Sequence, residues 1–165
     1  MKKDITERKH RVKAVIISTS NGVPLVSVKV DESFDEELIA PFFSAIHNFS
    51  EVQIGSLSES LIKGGDSDVL LVQEHDLILI AIMDKSLKKI DIEKEAREAL
   101  YNFHNIYKEE INTMKKDCVD LKVFKKFEIL LKKQIEDYYE KVDETSKDDK
   151  GFFSKILGMI KSLKE

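Results

Sequence analysis

VKAVIISTS at Val12–Ser20 and VPLVSVKV at Val23–Val30 are two β-branched, mostly apolar runs separated by Asn21-Gly22. The first run has the composition of a strand covered on both faces, and the second alternates roughly between apolar and polar residues. Asn-Gly favours a tight hairpin turn because both central turn residues need positive φ angles. Pro24 lacks a backbone N–H, which the first residue of a strand near a sheet edge tolerates. This stretch predicts a β-hairpin.

The segment after the hairpin predicts an amphipathic helix that ends near Gly55. Ser33 and Glu36 have the spacing of a capping box, with Ser33 as the N-cap. Pro41 falls inside the pattern, so either the helix begins near Ala40 or Pro41 kinks its opening turns. Apolar residues at helical spacing predict the stripe that faces the core. These residues are Leu38, Ile39, Phe42, Phe43, Ile46 and Phe49.

Three short segments with turn residues between them then predict an antiparallel meander. Leu57–Lys63 alternates between apolar and polar residues, and Val69–Gln73 is largely apolar. Leu77–Met83 is a continuous apolar run, which is typical of a central, fully buried strand.

The rest of the chain returns to a helical period. Apolar residues share one face from Asp91 to about Met114, and they are Ile92, Ala96, Ala99, Leu100, Phe103, Ile106 and Tyr107. A third helix is predicted from Cys118 to Val142. Its apolar stripe consists of Phe124, Phe127, Leu131, Ile135, Tyr138 and Val142. Such a helix spans roughly 37 Å, longer than a compact domain of this size is wide, so part of it is expected to project or to meet a partner.

Composition limits the function classes. The 165 residues fit one domain with a tail, and a net charge of −4 argues against general nucleic-acid binding. A single cysteine excludes an internal disulfide framework. Neither a signal peptide nor an apolar run of about 18 residues is present, which predicts a cytoplasmic protein. We expect a domain over 1–142, an acidic linker over 143–150 and an amphipathic tail helix over 151–165.

The tail carries three lysines and one glutamate, a net charge of +2. Its apolar face consists of Phe152, Phe153, Ile156, Leu157, Ile160 and Leu163. A basic amphipathic helix of this kind binds at membrane surfaces, packs on its own domain or occupies a groove of a protein partner. The sequence leaves these destinations open, and the six apolar residues are the predicted contact residues in each case.

The order β-β-α-β-β-β-α predicts an α+β domain with one five-stranded antiparallel sheet and flanking helices, followed by a long C-terminal helix and the tail. Ala14–Val26 resembles the opening hairpin of longin-like domains, and Phe42–Ser50 resembles their first helix. Gly65–Leu71 and Asp76–Ile80 resemble the hairpin that follows. The resemblance covers residues 12–114 and extends to trafficking proteins and to archaeal relatives associated with small GTPases.

The longin resemblance implies a non-catalytic scaffold in small-GTPase regulation or vesicle trafficking. It implies a homo- or heterodimer that forms through a sheet edge or the first helix, with a small GTPase or a longin or roadblock subunit as partner. The tail adds possible peripheral membrane contact. A roadblock-type subunit is an alternative, which requires an additional helix before the first hairpin.

Residues for catalysis or cofactor binding do not assemble in the sequence. Gly64-Gly65 opens no helix and fits neither a P-loop nor a dinucleotide-binding fingerprint. The histidines lack metal-ligand spacing, and Cys118 has no catalytic partner motif. We therefore expect no enzyme activity, no cofactor and no metal. A small-molecule sensor of the profilin or PAS type is the alternative, with His47 or His104 facing its pocket.

Overall fold

The computed structural model describes residues 12–30, 32–85, 89–143 and 163. By contact, the chain forms two compact units, Met1–Tyr101 and Asn102–Glu165. The elements are β1 (Val12–Thr19), β2 (Pro24–Lys29), α1 (Glu36–Ile54), β3 (Glu59–Lys63), β4 (Ser67–Glu74), β5 (Leu77–Asp84), α2 (Lys89–Ile106), α3 (Lys108–Met114), a 3₁₀ turn (Leu121–Phe124) and α4 (Lys125–Asp143). The predicted α+β order is confirmed. The predicted boundaries at 142 and 150 remain predictions.

The five strands form one antiparallel sheet in the order β2-β1-β5-β4-β3. The continuous apolar run becomes the central strand β5, and every residue from Leu77 to Met83 is buried. β2 and β3 are the edges of the sheet, and Pro24 opens an edge strand, as predicted. The predicted five-stranded antiparallel sheet is therefore confirmed, with Leu77–Met83 as its central strand.

The β1–β2 turn differs from the predicted one. Gly22 has a φ of 89°, and Asn21 is not among the residues with positive φ. The Thr19 carbonyl accepts a hydrogen bond from the Gly22 N–H at 2.9 Å, and the Thr19 N–H donates to the Val23 carbonyl at 2.9 Å. This is a three-residue loop with a left-handed glycine at its end.

The turn with two positive φ angles lies between β4 and β5 instead. His75 and Asp76 have φ angles of 50° and 62°. They form a two-residue connection between the paired residues Glu74 and Leu77. Neither residue is glycine, so the sequence did not identify the type of this turn.

Helix α1 begins earlier than one prediction allowed. The Asp35 carboxylate accepts a hydrogen bond from the Glu37 N–H at 3.0 Å, so Asp35 is the N-cap and the prediction of Ser33 is wrong. Pro41 lies inside the helix, which excludes a start near Ala40. At the other end, the Gly55 N–H donates to the Glu51 carbonyl at 2.9 Å, close to the predicted end.

Helix α1 lies close against the first hairpin. A Cβ added to Gly22 would stand 2.6 Å from the Cα of Pro41, so the turn and the helix touch through backbone. Lys29 of β2 forms a 2.7 Å ion pair with Glu36 in the first helical turn, which raises the pKa of Lys29. On the sheet, α1 contributes Ala40 to a buried cluster. Its sheet members are Ala14, Ile16, Leu71, Ile78, Ile80 and Ile82.

Helix α2 confirms much of its predicted face, since Ile92, Ala96, Ala99, Leu100 and Phe103 are buried. Arg97 donates from Nε to Glu93 at 3.2 Å and from Nη2 to the Ser58 carbonyl at 3.4 Å. These bonds attach the helix to the segment that enters β3. The predicted single helix to Met114 is interrupted at Tyr107, whose φ and ψ are −108° and 24°.

The second unit is organised around four aromatic rings. Phe103, Tyr107, Phe124 and Phe127 are buried, with neighbouring ring centroids 5.0 to 5.3 Å apart. Such tilted and edge-on pairs are the favoured aromatic geometry. The predicted third helix begins later than Cys118, with a 3₁₀ turn before α4. Within the described residues, no helix is both long and apolar enough to cross a membrane.

Substitution of Gly22 tests the contact between turn and helix. Gly22→Ala is expected to lower the free energy of unfolding by about 1–3 kcal/mol, because the new Cβ meets the Pro41 backbone and the φ angle is left-handed. Gly65→Ala is the control, since its Cβ would enter open space. Urea unfolding measures both variants, and equal stabilities would contradict the contact.

Tyr107 makes the second unit sensitive to alkaline pH. Burial raises the pKa of its phenol above 10.0, and a hydrogen bond with the Phe127 backbone opposes the shift. The folded state therefore keeps this proton after the unfolded chain has released it, and stability falls as the pH rises from about 10 through the raised pKa. Tyr107→Phe should lose less stability than wild type over this range in urea unfolding. If the unfolding free energies of wild type and Tyr107→Phe fell in parallel with pH, Tyr107 would not be the source of the pH dependence.

Candidate interaction surface

Helix α1 is turned so that its large apolar side chains face solvent. Its buried residues are Ala40, Ser44 and His47, each at most 1% exposed. The predicted core stripe is wrong for Leu38, Phe42 and Phe49, while Ile39 and Phe43 do pack against the sheet cluster. The exposed large residues of this helix are 60–80% accessible and comprise Leu38, Phe42, Phe49, Val52 and Ile54.

The exposed side chains form a regular line, which we call the α1 seam. It consists of Leu38, Phe42, Ala45, Phe49 and Val52, at spacings of four, three, four and three residues. This is the 3.5-residue period with which helices pack against other helices. The seam is about 21 Å long at 1.5 Å per residue. The Phe42 ring is held edge-on against Phe43, with centroids 5.2 Å apart.

Polar contacts beneath the helix fix this orientation. Ser44 Oγ lies 3.3 Å from Ser18 Oγ of β1, and both residues are buried. The Asn48 amide donates to the Ser20 carbonyl at 2.8 Å. Rolling the helix to bury its phenylalanines would leave these groups unpaired in an apolar layer, which is costly.

His47 is a further polar residue of α1 that is fully buried. Its Nε2 contacts Gln73 Oε1 on β4 and lies 3.7 Å from Glu51 Oε1. An amide oxygen only accepts, so Nε2 is the donor in this hydrogen bond. Within the described chain, Nδ1 is buried without a hydrogen-bond partner. In the sensor alternative, His47 faced a ligand pocket. In the structure, His47 joins α1 to the sheet.

The seam has acidic ends. Asp35, Glu36 and Glu37 surround its start and Glu51 lies near its end, while Ser33–Ile54 contains no lysine or arginine. Among the described residues, Glu36 is the one of these four with a lysine within 3 Å, namely Lys29. A partner of the seam therefore meets an apolar line between negative charges.

The residues considered for chemistry stay apart. Gly64 closes a turn by donating its N–H to the Ser67 carbonyl at 2.9 Å. Cys118 is exposed and precedes the 3₁₀ turn, and the thiol is free. Among the described residues, no group of three histidine, cysteine, aspartate or glutamate side chains is arranged to hold a metal ion. His104 lies half-buried in the second unit.

The predicted tail contacts fall mostly outside the described residues. Leu163 is described and is 38% exposed. Phe152, Phe153, Ile156, Leu157 and Ile160 lie outside the described part of the chain. The α1 seam, in contrast, was missed because Leu38, Phe42 and Phe49 were assigned to the core. The small residues Ala40 and Ser44, four apart, were the available signal for a buried face.

Because α1 buries His47 and exposes Phe49, we expect substitution of the polar residue to destabilise the fold more than substitution of the large apolar one. His47→Ala removes a buried ring and its bond to Gln73, and it should lower the free energy of unfolding by about 2 kcal/mol or more. Phe49→Ala, two positions away, should change it by less than about 0.5 kcal/mol because the ring is exposed. Urea unfolding at low protein concentration measures both. A larger loss for Phe49→Ala would place that ring in the core.

Comparisons with known proteins give likenesses of structure alone. No family model matches the chain, and no curated protein matches its sequence. A roadblock/LC7 domain from Streptomyces avermitilis is 7% identical, with a TM-score of 0.48, over 53% of this chain and 78% of that chain. The gliding protein MglB of Thermus thermophilus is 14% identical, with a TM-score of 0.48, over 58% and 79%. MglB of Myxococcus xanthus is 17% identical, with a TM-score of 0.49, over 57% and 85%.

Likenesses at these identities and TM-scores say nothing about the activity or partners of this chain. The fold is established from the chain's own structure. Its five-stranded antiparallel sheet and the described order β-β-α-β-β-β-α are those that the longin resemblance implies. Longin and roadblock architectures share this described part, and residues 1–11, where a first roadblock helix would lie, are outside it. The fold of the chain is longin-like.

Proposed function

We propose that this chain is a non-catalytic interaction module that pairs with a second copy of itself through the α1 seam. The observation that carries the proposal is the orientation of α1, which buries only small and polar residues fully and exposes five of its large apolar residues to solvent. An exposed apolar line of this length is typical of an interaction site. Its 3.5-residue period favours a helix as the partner.

The seam is nearly symmetric about its centre, which favours a second copy. Ala45 is the middle residue, with Phe42 and Phe49 on either side of it and Leu38 and Val52 at the ends. Two antiparallel α1 helices related by a two-fold axis would place Ala45 opposite Ala45. Phe42 of each helix would then pack beside Phe49 of the other. A small residue at the crossing point allows an interaxial distance of about 8–10 Å.

The acidic ends of the seam modulate this pairing. In the antiparallel arrangement, Glu37 of one helix lies within about a turn of Glu51 of the other. Like charges at this distance repel, and salt screens the repulsion. Apolar burial of four large side chains per chain still favours association at about 1.5–3 kcal/mol each, against the general cost of bringing two molecules together. Association should therefore strengthen as salt is raised.

The module's further partners follow from the longin resemblance. A small GTPase, or a longin or roadblock subunit that replaces the second copy, is the partner class that this resemblance implies. The basic tail with Phe152 and Phe153 would then bring the assembly to a membrane surface as a peripheral contact. In this proposal the folded body selects the protein partner and residues 151–165 select the location.

Sedimentation velocity of the full chain tests self-association. Wild type is expected to form a dimer, and Phe42→Ser with Phe49→Ser is expected to be monomeric with an unchanged circular dichroism spectrum. The control is Tyr101→Ser with Ile129→Ser, which removes two other side chains that are 52% and 70% exposed. The control should remain dimeric.

Two outcomes would overturn the self-association. One is a wild type that stays monomeric at roughly 100 µM, where a dimer with a Kd below about 10 µM is well populated. The other is a dimer that the seam variant and the control variant weaken equally. A weaker dimer at higher salt would contradict the proposed antiparallel placement of the acidic residues.

A further inference from the structure

The solvent side of helix α4 and its 3₁₀ turn carries a lysine face. Its six members are all exposed and comprise Lys122, Lys125, Lys126, Ile129, Lys132 and Lys133. Residues 121–135 contain these five lysines and a single acidic residue, Glu128, which gives a net charge of +4 on a chain whose total is −4. The opposite charges are thus locally separated.

The direction of this face is fixed by the packing of the same segment. Phe124, Phe127, Leu131 and Gln134 are buried on its other side. Each lies two residues from a member of the lysine face, and two residues along a helix are about 200° apart. The aromatic cluster of the second unit therefore holds the lysines outward together.

Most lysines of this face have no carboxylate partner among the described residues. Of the five lysines, only Lys125 has a carboxylate within 4 Å in the described chain, Glu128 at 3.7 Å. Ile129 stands among the lysines and is 70% exposed. A solvated helix face with balanced ion pairs does not have this arrangement.

We propose that the lysine face binds an anionic lipid surface. This inference rests on the proposed membrane contact of residues 151–165. One amphipathic anchor with a net charge of +2 gives weak, reversible binding, and a second basic signal in the same unit makes it stable. Lysines near an anionic bilayer each strengthen binding roughly fivefold, and an exposed isoleucine between them enters the interface.

A nucleic acid is the other polyanion to be considered, and it fits less well. The lysine face contains no aromatic side chain on which a base could stack. The exposed Ile129 gains from lipid and gains little from phosphate.

Vesicle co-sedimentation of the full chain tests the inference. The probes are vesicles of phosphatidylcholine alone and of phosphatidylcholine with phosphatidylserine, with poly(U) as the soluble polyanion. The test variant is Lys126→Glu with Lys133→Glu. The matched control is Lys108→Glu with Lys116→Glu, which changes the total charge equally at exposed lysines of the same unit outside the lysine face. A chain that ends at residue 150 reports on the tail.

Wild type should bind the anionic vesicles and not the neutral ones. The test variant should bind on the order of 100-fold more weakly, and the control should lose less than about fivefold. Equal losses in both variants, or a loss for poly(U) as large as for vesicles, would overturn the lysine face as a lipid site. If binding survives in the test variant and is lost on tail removal, the tail anchor stands and the lysine face fails. If tail removal has no effect, the proposed anchor fails instead.

Discussion

The contact between the polar inner face of α1 and the sheet is the constraint on which the exposed surface depends. His47 reaches Gln73 on β4, and Ser44 lies against Ser18 on β1. Each bond joins the helix to a different strand, so together they define the rotation of the helix about its axis. A helix held in this way by buried polar groups cannot turn to bury Phe42 and Phe49, because the unpaired hydroxyls and imidazole would cost more than exposed rings do.

Backbone contact reinforces the same arrangement. Only glycine at position 22 allows the first hairpin turn to lie against Pro41, and Ala40 beside it is fully buried. Small residues at these positions let the helix approach the sheet closely. A close approach leaves no room for further large side chains directly beneath the helix, so Phe42 and Phe49 are excluded from the core by space as well as by hydrogen bonding.

The sheet was predictable from the sequence, and the helix orientation was not. The continuous apolar run Leu77–Met83 indicated a fully buried central strand, and the turn residues indicated the β1–β2, β3–β4 and β4–β5 hairpins. The pairing of β1 with β5, which joins these hairpins into one sheet, was not predicted. On α1, apolar residues occupy most of the helix circumference, and periodicity alone does not say which side is inside. The informative signal was the pair of small residues Ala40 and Ser44, which lie on the buried side of α1. Their spacing alone does not identify that side as the one facing the sheet. The type of the His75-Asp76 turn was likewise not predicted, since neither residue is a glycine, the usual indicator of a positive φ.

The charges of the two proposed surfaces assign them to different partners. The α1 seam is apolar between acidic ends, so an anionic bilayer would repel it while another apolar helix can still bind it. The lysine face of α4 has the opposite sign and a single large apolar side chain, which is too little to drive pairing with another helix but suits an anionic interface. Because each surface disfavours the partner of the other, protein pairing and lipid contact do not compete for the same residues.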